Sequence, residues 1–177
     1  MAMTLITTNT SSNAASSSFT SSIDSTYKLY VFKFIDLNPA TDDVVFQFQV
    51  NATDGADYND SQITSTFFLS SHTENDSDAS IAYVTGADQA LGTAFQRLCK
   101  IGNGSDESAA GTLWLFNPSS TTYVKHFYSR CAEYHAADTM QDTFVGGYIN
   151  DATAIDDIQF KMSSGNMDGT IKMYGVG

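Results

Sequence analysis

The chain has 177 residues and a net charge of −12, from 20 acidic and 8 basic residues. This length is typical of a single domain with one hydrophobic core. A uniformly acidic chain repels phosphate backbones, which argues against nucleic-acid binding. No apolar run approaches the roughly 20 residues of a membrane span, and the first 25 residues lack the basic and apolar regions of a secretory signal. We therefore expect no membrane insertion and synthesis in a reducing cytoplasm.

The composition favours β-structure. Seventeen of the acidic residues are Asp, and Ser and Thr together number 41. These short polar side chains favour turns, whereas 12 Phe and 9 Tyr suit half-buried strands. The composition predicts an all-β domain with acidic loops. The two cysteines, Cys99 and Cys131, are expected to be buried thiols, although the sequence leaves open whether they pair.

Two parts can be distinguished along the chain. Residues 1–22 form a Ser/Thr/Asn-rich N-terminal arm, and residues 23–177 form a single β-sandwich domain. The arm has little apolar surface, although Met3, Leu5 and Phe19 leave open that it forms edge strands. Tyr27–Leu37 is apolar on both faces, which is typical of a strand covered on both sides.

The rest of the chain alternates in short runs. In Val44–Val50, for example, the apolar residues face inward and Gln47 and Gln49 face outward. Ala87–Leu98 is ambiguous between a short helix and a loop, and Asn38-Pro39 and Asn117-Pro118 indicate turns. About nine or ten short strands predict a sandwich or barrel, and we favour a jelly-roll-like antiparallel sandwich. The other predicted strands are Ile63–Leu69, Phe95–Ile101, Thr112–Phe116, Tyr123–Cys131, Phe144–Ile149, Ile158–Met162 and Thr170–Tyr174. Gly146-Gly147 within them suggests a bulge or a close backbone approach.

No motif in the sequence assigns catalytic or cofactor-binding residues, and we expect a protein that is not an enzyme and needs no cofactor. The acidic loops allow calcium as a weak alternative, with Asp54, Asp57 and Asp60 as candidate ligands. Neither this loop nor the second acidic loop, Glu74–Ser80, has EF-hand spacing. The simpler interpretation is that these carboxylates are solvated turn residues. The spacing Cys131-x-Glu133-x-His135 places three potential zinc ligands on one strand face, but a second ligand pair is missing.

Aromatic side chains give a better indication of function. They provide flat surfaces that stack on sugars or pack at protein interfaces. The alternative is that most of them pack within the sandwich. The residues with these properties are Tyr83, Trp114, Tyr123, Tyr128, Tyr134 and Tyr148.

Four segments resemble small β-sandwich domains of bacteriophage tail fibres and other virion structural proteins, in versions from marine phages. The opening FTSSIDSTYKLYVFKF (Phe19–Phe34) and the closing SSGNMDGTIKMYGVG (Ser163–Gly177) resemble the first and last strands of such domains. The end has their G-T-x-x-x-Y-G-[IV] pattern. LFNPSSTTYVKHFYSR (Leu115–Arg130) and GGYINDATAIDDIQFKMSSG (Gly146–Gly165) are similar to intervening segments.

The resemblance implies a non-enzymatic structural protein on the exterior of a tailed-phage virion, made in the host cytoplasm. A tail-fibre or appendage subunit for host attachment is the first expectation. The sandwich makes up almost the whole chain, whereas tail fibres usually carry a long shaft, so a capsid decoration protein is the alternative. A free-standing carbohydrate-binding lectin is a further alternative. The expected partners are other virion proteins, with a host-surface glycan left open.

We also expect a homotrimer, since the resembling domains usually form trimers. A sandwich covers one face of Tyr27–Leu37 with its partner sheet, so the other face needs a subunit or an extra layer. The interface candidates are Tyr27, Leu29, Val31 and Ile35. The Ser-rich arm is expected to be held by a neighbouring protein, because its own apolar surface does not offset the entropy of ordering it.

Overall fold

The structure is a computed structural model that describes residues 2–177, and within this range the regular secondary structure is entirely β. Twelve strands form two antiparallel sheets, so the predicted all-β sandwich is confirmed. The strands are β1 Met3–Ala14, β2 Ser17–Phe19, β3 Leu29–Pro39, β4 Val44–Ala52, β5 Ile63–Thr73, β6 Ala79–Tyr83, β7 Gln96–Ile101, β8 Ala109–Phe116, β9 Lys125–His135, β10 Thr139–Ile149, β11 Ile155–Met162 and β12 Met167–Val176.

The two sheets differ in size. The larger sheet has eight strands in the order β1-β12-β3-β8-β9-β10-β5-β6, and the smaller has four in the order β2-β11-β4-β7. The antiparallel pairs β5–β6 and β9–β10 lie side by side in the larger sheet. Without these two pairs, the order reduces to β1-β12-β3-β8 facing β2-β11-β4-β7. The two pairs therefore extend one sheet of a four-on-four sandwich.

The core between the sheets is largely aromatic. Phe160 of β11 lies in its middle, with its ring centroid 5.4 Å from Phe32, 5.3 Å from Phe34 and 5.8 Å from Phe46. Phe32 and Phe34 come from the larger sheet, whereas Phe46 and Phe160 come from the smaller sheet. These rings are 0–2% exposed, so the contact between the sheets is dry and close-packed.

The predicted N-terminal arm lies within the sandwich. Residues 3–14 pair with β12 along one edge of the larger sheet, and residues 17–19 pair with β11 at one edge of the smaller. Asn9 Nδ2 donates to the Ser18 carbonyl at 2.9 Å, and Phe19 packs 5.4 Å from Phe32. Hydrogen bonds to neighbouring strands order this segment although its side chains are mostly polar. The expectation that a neighbouring protein must hold the arm considered only its apolar surface and left out this backbone pairing.

The loop after β6 covers the outer side of the smaller sheet. Gln49 points outward from the smaller sheet as predicted, but it is fully buried, because loop residues cover it. Its Nε2 donates to the carbonyls of Ser61, Thr93 and Ala94 at 3.0–3.2 Å, and its Oε1 accepts from the Val50 N–H. The ambiguous segment Ala87–Leu98 contains no helix; it is this covering loop, followed by β7.

Three further predictions concern turns, glycines and cysteines. The chain leaves β8 at Asn117-Pro118 as expected, but β3 continues through Pro39 and turns one residue later. The strand that contains Gly146-Gly147 pairs in unbroken register on both sides, so it has no bulge. Cys99 and Cys131 are free and buried, and the Cys131 thiol together with burial raises the pKa of Cys99.

Replacement of Phe160 by Ala removes the ring that joins the two sheets. We expect the free energy of unfolding to fall by about 3–5 kcal/mol, the range for a buried Phe→Ala change. Urea denaturation of both proteins measures the difference. Tyr123→Ala, at a side chain that is 70% exposed, is the control and should change stability by less than about 0.5 kcal/mol. A loss below about 1 kcal/mol for Phe160→Ala would contradict the central position of this ring.

The buried carboxyl group of Glu133 makes stability depend on pH. Burial raises its pKa to about 9, and its Oε1 accepts a hydrogen bond from Thr143 Oγ1 at 2.5 Å. The Glu133 side chain of the unfolded chain loses its proton near pH 4.5, whereas the folded chain keeps it. Stability therefore falls as the pH rises between these two pKa values, by up to about 1.4 kcal/mol per unit from this group.

Glu133→Gln replaces the protonated acid by a neutral group of the same shape. We expect the variant to gain stability relative to the natural chain at pH 8, and the gain to shrink toward pH 5. Thermal melts at the two pH values measure this difference. Glu74→Gln, in an exposed loop, is the matched control and should show no gain that grows with pH. A Glu133→Gln gain that is equal at both pH values would contradict the assignment.

Candidate functional site

The outer face of the eight-stranded sheet carries most of the exposed large apolar side chains among residues 2–177. Residues directly opposite each other in an antiparallel sheet point to the same side, so the strand register defines rows across this face. Four rows lie in its middle. They are Met3–Val176–Leu29–Phe116, Leu5–Tyr174–Val31–Trp114–Tyr128–Gly146–Thr66, Thr8–Lys172–Lys33–Thr112–Arg130–Phe144–Phe68–Tyr83, and Thr10–Thr170–Ile35 together with Ala132–Asp142–Ser70–Ile81.

Exposed apolar side chains are concentrated on this face. Among residues 2–177, ten large hydrophobic residues are at least 37% exposed, and eight of them point outward from the eight-stranded sheet. Only Leu91 and Tyr123 lie elsewhere, both outside the strands. Isolated exposed apolar residues are ordinary, but a contiguous set of this size marks an interaction surface. The eight are Met3, Leu5, Ile35, Phe68, Ile81, Tyr83, Tyr128 and Met140.

The charge of the face is opposite to that of the chain. Its four rows contain three cations, Lys33, Lys172 and Arg130, and one carboxylate, Asp142. Since the whole chain has a net charge of −12, these rows carry +2 and the remainder carries −14. Lys33 and Lys172 are direct cross-strand partners, an arrangement of like charges that weakens a sheet. Within these four rows, cations therefore outnumber carboxylates, and Asp88 approaches the face at its edge through a hydrogen bond from Tyr83 Oη.

Arg130 and Asp142 form the ion pair of this face. Arg130 Nη2 lies 2.6 Å from Asp142 Oδ2, and its Nε lies 2.9 Å from Asp142 Oδ1, so the contact is bidentate. This pairing raises the pKa of Arg130 above its ordinary value. The guanidinium also lies over the Phe144 ring, 4.9 Å from the centroid. These contacts hold Arg130 flat between two depressions in the face.

The first depression is a slot above Gly146. Trp114 stacks on Tyr128 with centroids 4.5 Å apart, and Phe68 stacks on Phe144 at 4.9 Å. Between the two stacks, Gly146 has no side chain, and an added Cβ would lie no closer than 3.9 Å to any atom of the chain outside its immediate neighbours. The resulting cavity measures about 320 Å³. Its size fits one ring or one large apolar side chain.

The second depression lies on the other side of Arg130. Small residues, Ala110 and Ala132, form its floor, and Lys33, Ile35 and Met140 are among the residues that line it. Its volume is about 410 Å³. Together the two depressions give the face a relief that a flat sheet lacks, and a partner surface with matching projections would fill them.

The four interface candidates occupy different environments. Ile35 is 37% exposed on the outer face, and Leu29 is half-buried there. Val31 also points outward but is only 1% exposed, because it lies between Tyr174 and Trp114 on the adjacent strands. Tyr27 precedes β3 and packs edge-on to Tyr30 at 5.9 Å. Large cross-strand neighbours therefore cover Val31 within one chain, without a subunit or extra layer.

The calcium candidates each bond within the polypeptide. Asp57 accepts from the backbone N–H of Asn59 at 2.9 Å, Asp60 accepts from that of Ala56 at 3.0 Å, and Asp54 accepts from Thr153 Oγ1 at 3.1 Å. Between residues 2 and 177, the structure brings no three His, Cys, Asp or Glu side chains together in a metal-binding arrangement. These contacts assign the three carboxylates a role in shaping their loops.

The Cys131-x-Glu133-x-His135 triplet is divided by the fold. Cys131 and Glu133 point into the core, whereas His135 Nε2 lies 3.0 Å from Asp43 Oδ1 at the end of the strand.

Most of the aromatic residues that the sequence offered as contact surfaces lie on the outer face of the large sheet. Trp114, Tyr128, Tyr148, Tyr83 and Tyr134 all point outward from the large sheet, and only Tyr123 lies in a loop.

Sequence analysis missed Phe68, Phe144 and the two facing lysines. Phe68 occupies the side of β5 opposite to Ile63 and Phe67. The sequence did contain a signal for Phe68: it is a large apolar residue at a position that the alternating pattern assigns to the solvent side of the strand. The pairing of Lys33 with Lys172 depends on the register between β3 and β12, which lie far apart in sequence.

Comparisons with known proteins add no family assignment. A scan against protein-family models and a search of curated proteins found no match to this chain. Within residues 2–177, no helix has the length and apolar character needed to cross a membrane.

The two adjacent glycines of β10 should respond oppositely to substitution. A Cβ at Gly147 would clash with the Thr64 carbonyl oxygen and lie 2.9 Å from both Phe127 Cζ and Ser65 Cβ, whereas a Cβ at Gly146 would make only an ordinary contact with Thr66 Oγ1 at 3.9 Å. We expect Gly147→Ala to destabilise the chain by about 1–3 kcal/mol through overpacking. Gly146→Ala should be neutral or slightly stabilising, since it also removes the entropic cost of glycine in a strand. Denaturant titrations of both variants measure this, and equal effects would contradict the assigned faces.

Proposed function

We propose that this chain is a non-enzymatic structural protein of the exterior of a tailed-phage particle, where it serves host attachment as a tail-fibre or appendage subunit. One observation carries the assembly role: eight of the ten exposed large apolar residues lie on one sheet face. A protein that acts alone in water rarely exposes such a surface. The resemblance of the four sequence segments to virion sandwiches supports the phage assignment.

The strand order supports the jelly-roll class within this proposal. The order β1-β12-β3-β8 facing β2-β11-β4-β7 remains when the pairs β5–β6 and β9–β10 are set aside. Eight strands in two four-stranded sheets are the framework of a jelly roll, an architecture common in viral structural proteins. The two extra pairs both extend the larger sheet, and β9, β10 and β5 carry the slot above Gly146. The additions to the framework thus build the proposed contact surface.

The distribution of charge also fits a protein on a particle surface. Carboxylates are concentrated outside the apolar face, in loops such as 54–60 and 74–78. A strongly acidic exterior keeps crowded copies soluble and repels non-specific contacts. The apolar face then remains the one place where close contact is favourable.

Quantitative mass spectrometry of purified particles tests this function. We expect the chain at a fixed stoichiometry, with a few to tens of copies per particle for a tail or appendage protein. Hundreds of copies would instead assign it to the capsid as a decoration protein and contradict the attachment role. Absence from particles that retain their other structural proteins would refute both locations.

An adsorption assay tests attachment directly. Antibodies raised against the exposed 74–78 loop should label the particles and lower the rate at which they bind host cells. Antibodies against an internal virion protein are the control. Labelling without any change in adsorption would remove the attachment role and leave a purely structural one.

A further inference from the structure

The two cysteines face each other across the interior of the sandwich. Cys99 lies in β7 of the smaller sheet, directly opposite the buried Phe46 of β4, and Cys131 lies in β9 of the larger sheet, directly opposite Gly111 of β8. Residues opposite each other in an antiparallel sheet point to the same side. Both cysteines are buried, so both thiols point into the space between the two sheets.

The two sheets lie close together at this point. Packed sheets are usually about 10 Å apart, whereas Cα atoms of β7 and β9 approach within 8 Å. A Cβ at Gly111 would lie 2.7 Å from Cys131 Sγ, so the sulfur occupies space that a side chain on β8 would need. The Cys131 thiol is a hydrogen-bond partner of the Cys99 thiol. Thiols in such contact are within reach of a disulfide, which spans Cα atoms about 4–7 Å apart.

We propose that Cys99 and Cys131 form a cross-link site, at which oxidation produces a disulfide that joins the two sheets through the core. This inference goes beyond the proposed function and does not depend on it, because it uses only the interior of the fold. Both cysteines are free in the structure, as they are in a reducing cytoplasm. The bond forms when the chain meets an oxidant outside that compartment.

Hydrogen peroxide is an oxidant small enough to reach thiols in a locally opened core. The Cys99 sulfur attacks one oxygen of the peroxide and the O–O bond breaks, which gives a sulfenic acid and one water that takes up the thiol proton. The Cys131 sulfur then attacks the sulfenic sulfur, the S–S bond forms and a second water leaves. Two thiols are oxidised to one disulfide, and one peroxide is reduced to two waters.

The position of β7 controls access to this site. β7 is an edge strand of the smaller sheet and pairs only with β4, whereas β9 lies between β8 and β10. The Cys131 thiol and burial raise the pKa of Cys99, so its thiol keeps its proton and is unreactive while β7 is in place. Local opening of an edge strand exposes Cys99. Oxidation should therefore become faster in urea, at concentrations below the unfolding transition.

Intact-mass spectrometry of the purified chain tests the cross-link. The chain is treated with hydrogen peroxide in moderate urea, then unfolded and alkylated with iodoacetamide. We expect a monomer that is lighter by two hydrogen atoms and takes up no alkyl group. Reduction with dithiothreitol before alkylation should restore two modified cysteines. Two alkylated cysteines without reduction, added oxygen in place of the bond, or disulfide-linked dimers would each overturn the proposal.

Moving one thiol along its strand gives a matched control. Ser129 lies two residues before Cys131 on the same side of β9 and is also buried. The double variant Ser129→Cys with Cys131→Ser keeps two thiols in the chain but displaces one by about 7 Å. We expect it to form the intrachain disulfide at least tenfold more slowly than the natural chain. Equal rates would show that proximity across the core does not direct the reaction. The test on the natural chain stands even if the variant does not fold.

Thermal melts of the natural chain, oxidised and reduced, measure what the bond does to the fold. The disulfide closes a loop of about thirty residues, so the melting temperature should rise by about 5–10 °C and return to its original value after reduction. An oxidised chain that melts no higher than the reduced one would refute the joining of the sheets. None of these results depends on whether the chain is found in particles, so the cross-link and the phage function can fail separately.

Discussion

The two sheets are held together by an aromatic cluster with Phe160 at its centre. The Phe160 ring centroid lies within 6.3 Å of those of Phe19, Phe32, Phe34, Phe46 and Phe48, which come from three other strands. Edge-to-face and offset arrangements let these rings fill the space between the sheets in rotamers that suit their strands. The same cluster anchors Phe19 and with it β2, so the N-terminal segment is ordered by the core as well as by backbone pairing.

Several polar groups are buried at the margins of this core, and two of them, Lys125 and Gln49, donate hydrogen bonds to backbone carbonyls. Lys125 is fully buried, and its Nζ donates to the carbonyls of Asp151 and Thr153, which fixes the 150–154 loop. Burial lowers the pKa of Lys125. Gln49 binds three carbonyls of the loops above the small sheet. Such groups are costly if unpaired, so they specify one loop arrangement even where their net contribution to stability is small.

Loops cover the small sheet, whereas the outer face of the large sheet is bare, and this difference determines where the chain can associate. Exposed apolar area favours association with a covering surface. In this chain the covering loops lie over the small sheet, and the outer face of the large sheet stays open. The opposite side combines stacked aromatics, two depressions and a charge opposite to the rest of the molecule. A chain that is acidic elsewhere can then associate through one face and repel other contacts.

The sequence by itself determined the fold class and nine of the twelve strands, because alternation of polar and apolar residues is a local signal that a strand carries wherever it lies. It left β1 and β2 open as edge strands and did not predict β6, because these segments show little such pattern and backbone pairing with a neighbouring strand places them. It identified Tyr128 as an exposed aromatic and Trp114 as a candidate beside it, although Trp114 is half-buried, and it did not predict the slot between them and Phe144.

The slot, the Lys33–Lys172 pair and the buried state of Gln49 were decided only by the tertiary structure. Each depends on which strands become neighbours and in what register. Lys33 and Lys172 lie more than a hundred positions apart in the sequence, and the slot combines residues of β5, β8, β9 and β10. A one-residue shift in any pairing would move these side chains to other rows or to the opposite face. Register is set by the packing of the whole sandwich, and no single segment of the sequence contains that information.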